Sequence, residues 1–367
     1  MTAMTAMTAM TATATGIRQL REIGQSLWLD NISRDLLDAG TLQRYRDELN
    51  VTGLTSNPTI FDHAIGNTAS YNKSIQQKTQ QGKSGEALFF DLALEDLTRA
   101  AALFRPIHDA TAGVDGWVSL EVSPMLINDA TGTIKEARRL HALAQLINLF
   151  IKIPGTAAGV LAIEESIFAG VPVNVTLLFS REHYVAAADA YMRAIERRIG
   201  AGLDPNVCSV ASVFVSRWDA IVKDDVSPPY HNRLGIAMAM RIYKTYCDML
   251  ASPRWQALSS AGAKPQRLLW ASTGAKDPTV RDTLYIEALA APNTINTMPE
   301  KTLLALADHG EVGSTLPEDG GYAEVVLQEF SREGVDLDQL ATTLQSQGAD
   351  AFAKSWHSLL MRITERQ

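Results

Sequence analysis

From residue 17 onward the chain alternates short β-branched or apolar runs with longer segments whose apolar residues recur every three or four positions. That alternation is what βα units around a parallel sheet require. Eight runs read as strands: SLWLD (26–30), GLTSN (53–57), WVSLEVS (117–123), LFIKIPG (149–155), PVNVTLLF (172–179), CSVASVFVS (208–216), RLLWAST (267–273) and NTINTMP (293–299). Eight is the number a closed barrel needs, so the expectation is an α/β protein with a (β/α)8 TIM-barrel fold. The first run fits helix and strand equally on pattern alone.

Helical periodicity is clear in 132–148 and in 180–202, the second preceded by a capping serine, Ser180, and ended by glycines. The stretch 62–116 is too long for a loop and predicts two helices or more after the second strand, broken near KTQQGKSGEA. The residues after Glu300 read as further helices outside the barrel count. The first residues repeat a Met-Thr-Ala triplet with no basic start and no long apolar centre. They predict a disordered low-complexity tail over 1–16 and a single domain over 17–367, not a secretory signal.

Composition then removes whole classes of function. A formal net charge of −8, from 41 acidic against 33 basic residues, argues against a nucleic-acid partner, although a local basic pocket for a small anion is still allowed. No apolar run is long enough for a membrane span, so no membrane partner is expected. Two cysteines, Cys208 and Cys247, and seven histidines show no metal-ligand spacing, which leaves no metal site and points to a reducing cytoplasm. Neither GxGxxG nor GxxxxGK[ST] follows the first strand, which lowers the dinucleotide and P-loop readings. The pair Gly155 and Gly159 reads as close helix–strand packing rather than phosphate binding.

Strands of a parallel barrel are covered on both faces and should be almost wholly apolar. Departures from that rule are therefore informative: Asp30, Asn57, Glu121, Lys152, Asn174 with Thr176, Ser212 and Ser272, most of them toward the C-terminal ends of their runs, where enzymes of this architecture carry their chemistry. Asn174 and Thr176 are two apart and share one face. A cation, two carboxylates, amides and hydroxyls converging on one interior are costly to bury unless they pair or act on a ligand. Such a group is either a site or a polar plug. Lys152 admits two compatible readings, an ion pair with Glu121 on the next strand, or a lysine whose desolvated amine attacks a carbonyl while nearby carboxylates move protons. Asp30 also fits a helix cap, Asn57 before Pro58 a turn, and Arg217 either a solvated surface residue or the ligand of a substrate phosphate.

The motifs LTSNPTIF (54–61), VSLEVSP (118–124), FIKIPGT (150–156) and VNVTLLFS (173–180) make the chain closely similar to the transaldolase family, and WASTGAKDP (270–278) resembles its longer bacterial branch. The resemblance implies a metal-free and cofactor-free transfer of a dihydroxyacetone unit between sugar phosphates through a lysine Schiff base, in the non-oxidative pentose phosphate pathway. It implies Lys152 as the nucleophile, Asp30 as the group that takes and returns the C4 hydroxyl proton, and Glu121 acting with Thr176 through a water in imine formation and hydrolysis. Asn57, Asn174 and Ser212 would hold donor hydroxyls, and Arg217 with Ser272 the phosphate.

Two departures from the family pattern matter. Shorter members carry an arginine in an SFRN segment where this chain has Ser272-Thr-Gly-Ala-Lys276, so Lys276 is the candidate to supply that charge. The lysine motif reads KIPGT rather than KLAST, which changes only packing. Aldol cleavage is the alternative activity, but the related fructose-6-phosphate aldolases carry Gln in place of Glu121 and Tyr in place of Phe214 and are much shorter, so both positions here fit transfer rather than simple cleavage. A non-catalytic sugar-phosphate-binding barrel is the other, disfavoured because Asp30, Glu121 and Lys152 are all present. A homodimer is compatible with the sequence, since helix faces that pack a neighbour look like faces that pack a core.

Overall fold

The computed structural model describes residues 15–367. Its eight strands are β1 (Ser26–Leu29), β2 (Val51–Leu54), β3 (Val118–Glu121), β4 (Leu149–Pro154), β5 (Val173–Leu178), β6 (Ser209–Phe214), β7 (Arg267–Ala271) and β8 (Ile295–Met298). They form one parallel sheet in the order β2-β1-β8-β7-β6-β5-β4-β3. The Leu54 N–H donates to the Trp117 carbonyl at 3.0 Å, which joins the two ends of that order and rounds the sheet into a barrel. The fold expected from alternation is therefore the fold observed, a (β/α)8 barrel with extra C-terminal helices. Every residue of β3 to β8 is buried, as strands covered on both faces must be.

The run at 26–30 is a strand, paired with both β2 and β8. The second run is displaced, because β2 spans 51–54 and not 53–57. The physical reason is Asn57, whose Oδ1 accepts the Ile60 N–H at 3.0 Å and caps the helix Pro58–Asn67 with proline in its first turn. A residue committed to a helix cap cannot also continue the strand. The insert holds that helix and two more, Asn72–Gln80 and Gly85–Ala110. The C-terminal region adds Glu300–His309, Ala323–Arg332 and the long helix Leu337–Thr364.

The tail boundary needs correction. Residues 1–14 of the expected tail lie outside the described residues, but Thr15 and Gly16 open a helix, Thr15–Ile23, whose Gly16, Ile17 and Leu20 are buried. The composition of Thr15 and Gly16 looks like the repeat before them, while the apolar positions that follow pull them into the fold. Among the described residues no helix is long and apolar enough to cross a membrane.

Candidate active site

Strand register sets the floor of the site. Glu121 of β3 is opposite Lys152 of β4, and Lys152 is opposite Asn174 of β5, so three polar side chains from adjacent strands stand at one level. At the end of β4 the chain turns through Gly155, and Thr156 caps the helix Ala157–Phe168 by accepting the Gly159 N–H at 3.1 Å. A Cβ on Gly159 would lie 1.8 Å from the Pro154 carbonyl oxygen, so this glycine serves close helix–strand packing, as its spacing from Gly155 suggested.

Lys152 is buried, with its Nζ 3.3 Å from Glu121 Oε2 and donating to the Ser56 carbonyl at 3.2 Å. The first distance is that of an ion pair, yet the alignment is not that of a hydrogen bond. Among the described residues neither Glu121 oxygen accepts a hydrogen bond, Oε2 having only the ion pair, and the buried Thr176 Oγ1 has no hydrogen-bonding partner. Orphaned buried acceptors cost about 1–3 kcal/mol each and call for a functional reason. Burial pushes the Glu121 carboxyl above its ordinary value; the Lys152 ammonium pulls it back, and the charge of Asp30 adds to the rise. A carboxyl that holds its proton more readily than usual is suited to donate it during a reaction.

Neighbouring groups are fixed by direct contacts. Ser212 Oγ donates to Asn174 Oδ1 at 2.7 Å, and Asn174 Nδ2 donates to Ser119 Oγ at 3.2 Å, which sets the amide's orientation. Asp30 follows β1, where its N–H donates to the Met298 carbonyl at 2.8 Å. It is not a helix cap, because Ser33 takes that role for Arg34–Asp38. Thr55 Oγ1 donates to Asp30 Oδ1 at 2.6 Å and lies 2.7 Å from Thr297 Oγ1, so two threonines orient the carboxylate.

Above this floor lies a cavity of about 270 Å³ at the C-terminal ends of the strands. Asp30, Asn57, Lys152 and Ser212 line it on the strand side, and Arg217, Ser272 and Lys276 line it on the loop side. Glu121 and Asn174, level with Lys152, and Thr176, opposite Pro154, are buried and do not line the cavity. All ten residues singled out from the sequence thus lie in one region. Asn57 lines the cavity and is the N-cap of its helix rather than a turn residue.

Arg217 lies in the first turn of the helix Ser216–Val222, with its guanidinium carbon 5.1 Å from the centre of the Phe214 ring. Burial lowers its pKa and the charge of Asp30 opposes that. Neither Arg217 nor Lys276 forms a salt bridge among the described residues, and Asp30 is the one carboxylate that lines the cavity with them and Lys152, so the cavity wall carries an excess of positive charge. An anion is the ligand that such an arrangement favours. Ser272 holds the left-handed backbone conformation, φ 55°, at the end of β7, and its carbonyl accepts the Ser216 N–H at 3.0 Å. That hydrogen bond ties the β7 loop to the helix carrying Arg217 and helps hold a left-handed non-glycine residue that costs about 1–3 kcal/mol.

Asp219 anchors that helix from below. Its carboxylate accepts the Leu234 N–H at 2.8 Å, the Gly235 N–H at 3.2 Å and the Tyr285 hydroxyl at 2.8 Å. Burial nevertheless pushes it up to about 6. An unfolded aspartate titrates near 3.9, so from about pH 4 to about 6 the native state holds the extra proton and stability falls as pH rises, by about 3 kcal/mol in all. Asp219→Asn should remove that component. Denaturant unfolding at pH 4 and pH 7 checks it: equal pH dependence in the two proteins would contradict the assignment.

Five contributors were not singled out from sequence: Thr55, the Ser56 carbonyl, Ser119, Thr297 and Phe352. Thr297 carried the same signal as the others, a polar residue within an apolar strand. The Ser56 carbonyl has no side-chain signature at all. Phe352 comes from the C-terminal helix Leu337–Thr364 and reaches the cavity from outside the barrel count. Among the described residues no cluster of three or more His, Cys, Asp or Glu is placed to hold a metal ion.

Comparison with known proteins agrees with this geometry. The sequence profile of the family described as Transaldolase/Fructose-6-phosphate aldolase matches residues 27–363. A curated protein named Transaldolase from Frankia alni is 44% identical over 360 residues, spanning 95% of this chain and 97% of its own length. Those of the same name from Renibacterium salmoninarum and Thermobifida fusca are each 42% identical, over 360 and 359 residues, spanning 96% and 95% of this chain and 96% and 98% of their own.

Proposed function

The chain belongs to the Transaldolase/Fructose-6-phosphate aldolase family, with the activity of a transaldolase and hence of a transferase, and we propose that it works through a Schiff base on Lys152. The donor is a ketose phosphate, sedoheptulose 7-phosphate or fructose 6-phosphate, and the acceptor is glyceraldehyde 3-phosphate or erythrose 4-phosphate. The observation that carries this reading is a buried lysine at the floor of a cavity lined by Arg217 and Lys276, neither of which forms a salt bridge among the described residues.

The Lys152 amine attacks the C2 carbonyl, and the carbinolamine loses water with a proton supplied from Glu121. The orphaned oxygens of Glu121 and Thr176 suit a water that relays that proton. Asp30 then removes the C4 hydroxyl proton, the C3–C4 bond breaks, and its electron pair flows into the iminium to give an enamine. The aldose phosphate leaves, the acceptor aldehyde takes its place, and the same steps run in reverse. Arg217, Lys276 and Ser272 hold the phosphate, while Asn57, Asn174 and Ser212 hold hydroxyls. We assign the reaction to the non-oxidative pentose phosphate pathway and to a reducing cytoplasm, in keeping with the free thiols of Cys208 and Cys247.

Acceptor dependence tests the proposal against simple aldol cleavage, which Glu121 and Phe214 disfavour. With fructose 6-phosphate as donor, sustained release of glyceraldehyde 3-phosphate should require erythrose 4-phosphate and yield sedoheptulose 7-phosphate. Steady turnover without acceptor, with free dihydroxyacetone accumulating, would sink it.

A further inference from the structure

The C-terminal helix Leu337–Thr364 buries one stripe, Leu344, Gly348, Phe352, Trp356, Leu359 and Ile363, spaced three and four apart. Its tethers connect it to the parts that build the site. Gln345 Nε2 donates to the Gly155 carbonyl at 3.1 Å, just after the Lys152 strand, and to the Leu177 carbonyl at 3.0 Å in β5. Leu177 has a left-handed φ of 58° at a break in the β5–β6 register. Trp356 Nε1 donates to Glu86 Oε1 at 2.9 Å, which also accepts Ser123 Oγ at 2.9 Å, two residues past Glu121. Ser355 meets Thr59, and Ser358 and Arg362 meet Asp62, on the helix capped by Asn57.

Gly348 is where the helix passes closest. A Cβ there would lie 2.8 Å from Leu177 Cδ2 and 3.1 Å from Arg217 Nη1. One turn on, Phe352 is 4% exposed, lines the cavity, and has its ring centre 5.8 Å from Lys152 Nζ. A helix tied at so many points is a fixed roof rather than a loose appendage.

Resting on the Schiff-base reading, we propose that Phe352, held over Lys152 by this helix, keeps water from the enamine between departure of the first aldose phosphate and arrival of the second. Transfer competes with a leak at that stage. In the leak a water proton goes to C3 of the enamine, the oxygen of water adds to C2, and the C2–nitrogen bond breaks, so that one water and the enamine give free dihydroxyacetone and the Lys152 amine. An apolar ring over the nitrogen keeps the cavity's bulk water from the enamine, leaving only the relay water held by Glu121 and Thr176, and so starves the leak of its reactant. Its face also suits the iminium cation at the same distance from which it now meets the lysine. Phe352 is thus a residue that decides between transferase and aldolase outcomes without itself moving a proton.

The test is the ratio of free dihydroxyacetone to sedoheptulose 7-phosphate formed from fructose 6-phosphate and erythrose 4-phosphate. Phe352→Ala should raise that ratio about tenfold, equivalent to a small change in competing barriers. Phe352→Leu, which restores apolar bulk, should bring it back toward the parent value. Borohydride should still trap an adduct at Lys152 in each. An unchanged ratio in Phe352→Ala with trapping intact overturns the proposal, as does Phe352→Leu leaking as much as alanine. Should Phe352→Ala fail to fold, Gln345→Ala loosens the same helix and must raise the ratio. An unchanged ratio there overturns the proposal equally. Absence of any adduct in the parent enzyme would instead remove the Schiff-base reading itself, and the proposal with it.

Discussion

Lys152→Ala is expected to lose transfer activity by a factor on the order of 10⁴ or more, because it removes the nucleophile of a covalent route rather than one of several aids to it. Folding should survive. Removing one member of a buried ion pair is costly when the other charge is stranded, about 3–5 kcal/mol. Glu121 has an escape, since burial already pushes its carboxyl up and loss of the neighbouring ammonium leaves that push unopposed, so it takes a proton and becomes neutral. Borohydride reduction with fructose 6-phosphate, read by intact mass, separates the two effects. The parent should gain a reduced adduct and Lys152→Ala should gain none while unfolding cooperatively. An adduct in the variant would move the covalent centre to another lysine.

What could be read from sequence followed from which signals are local. The barrel was legible because each strand is a separate apolar run, and the candidate residues were legible because each broke such a run. Register and orientation were not, since period two fixes only which residues share a face. That Asn174 is locked between Ser119 and Ser212, and that Glu121 keeps both oxygens unsatisfied, depend on three strands meeting. The end of β2 was misplaced because Thr55, Ser56 and Asn57 look equally like a polar strand end and a loop, and only the cap on Ile60 decides between them. Lys276 was uncertain because spacing along a loop does not fix where its side chain goes. Its place on the same cavity wall as Arg217 and Ser272 supports it as the second cation of the phosphate site. Phe352 was the hardest to foresee, because its stripe looks like any core-facing helix and nothing local says that the core it faces contains a lysine.

Asp30→Asn should separate carbon–carbon bond cleavage from imine formation. Asparagine keeps the shape and an oxygen to accept the Thr55 hydroxyl, so the surrounding contacts persist, but it cannot take the C4 hydroxyl proton. Loss of a positioned general base costs about 10²–10⁴ in rate, and here the loss should fall on kcat, since the lysine, the hydroxyl ligands and the two cations that bind donor are untouched. In the proposed mechanism imine formation draws its protons from Glu121, 3.3 Å from Lys152 Nζ, so the donor should still become attached. The adduct then reports where the reaction stops. Borohydride trapping of the parent with fructose 6-phosphate should yield chiefly the three-carbon dihydroxyacetone adduct, whereas Asp30→Asn should yield the uncleaved six-carbon sugar phosphate on Lys152. A three-carbon adduct formed at the parent rate would show that another group removes the C4 proton. No adduct at all would mean that Asp30 is needed earlier, for imine formation. The proposed division of roles is supported by position: Asp30 lines the cavity, while Glu121, beside the amine, does not.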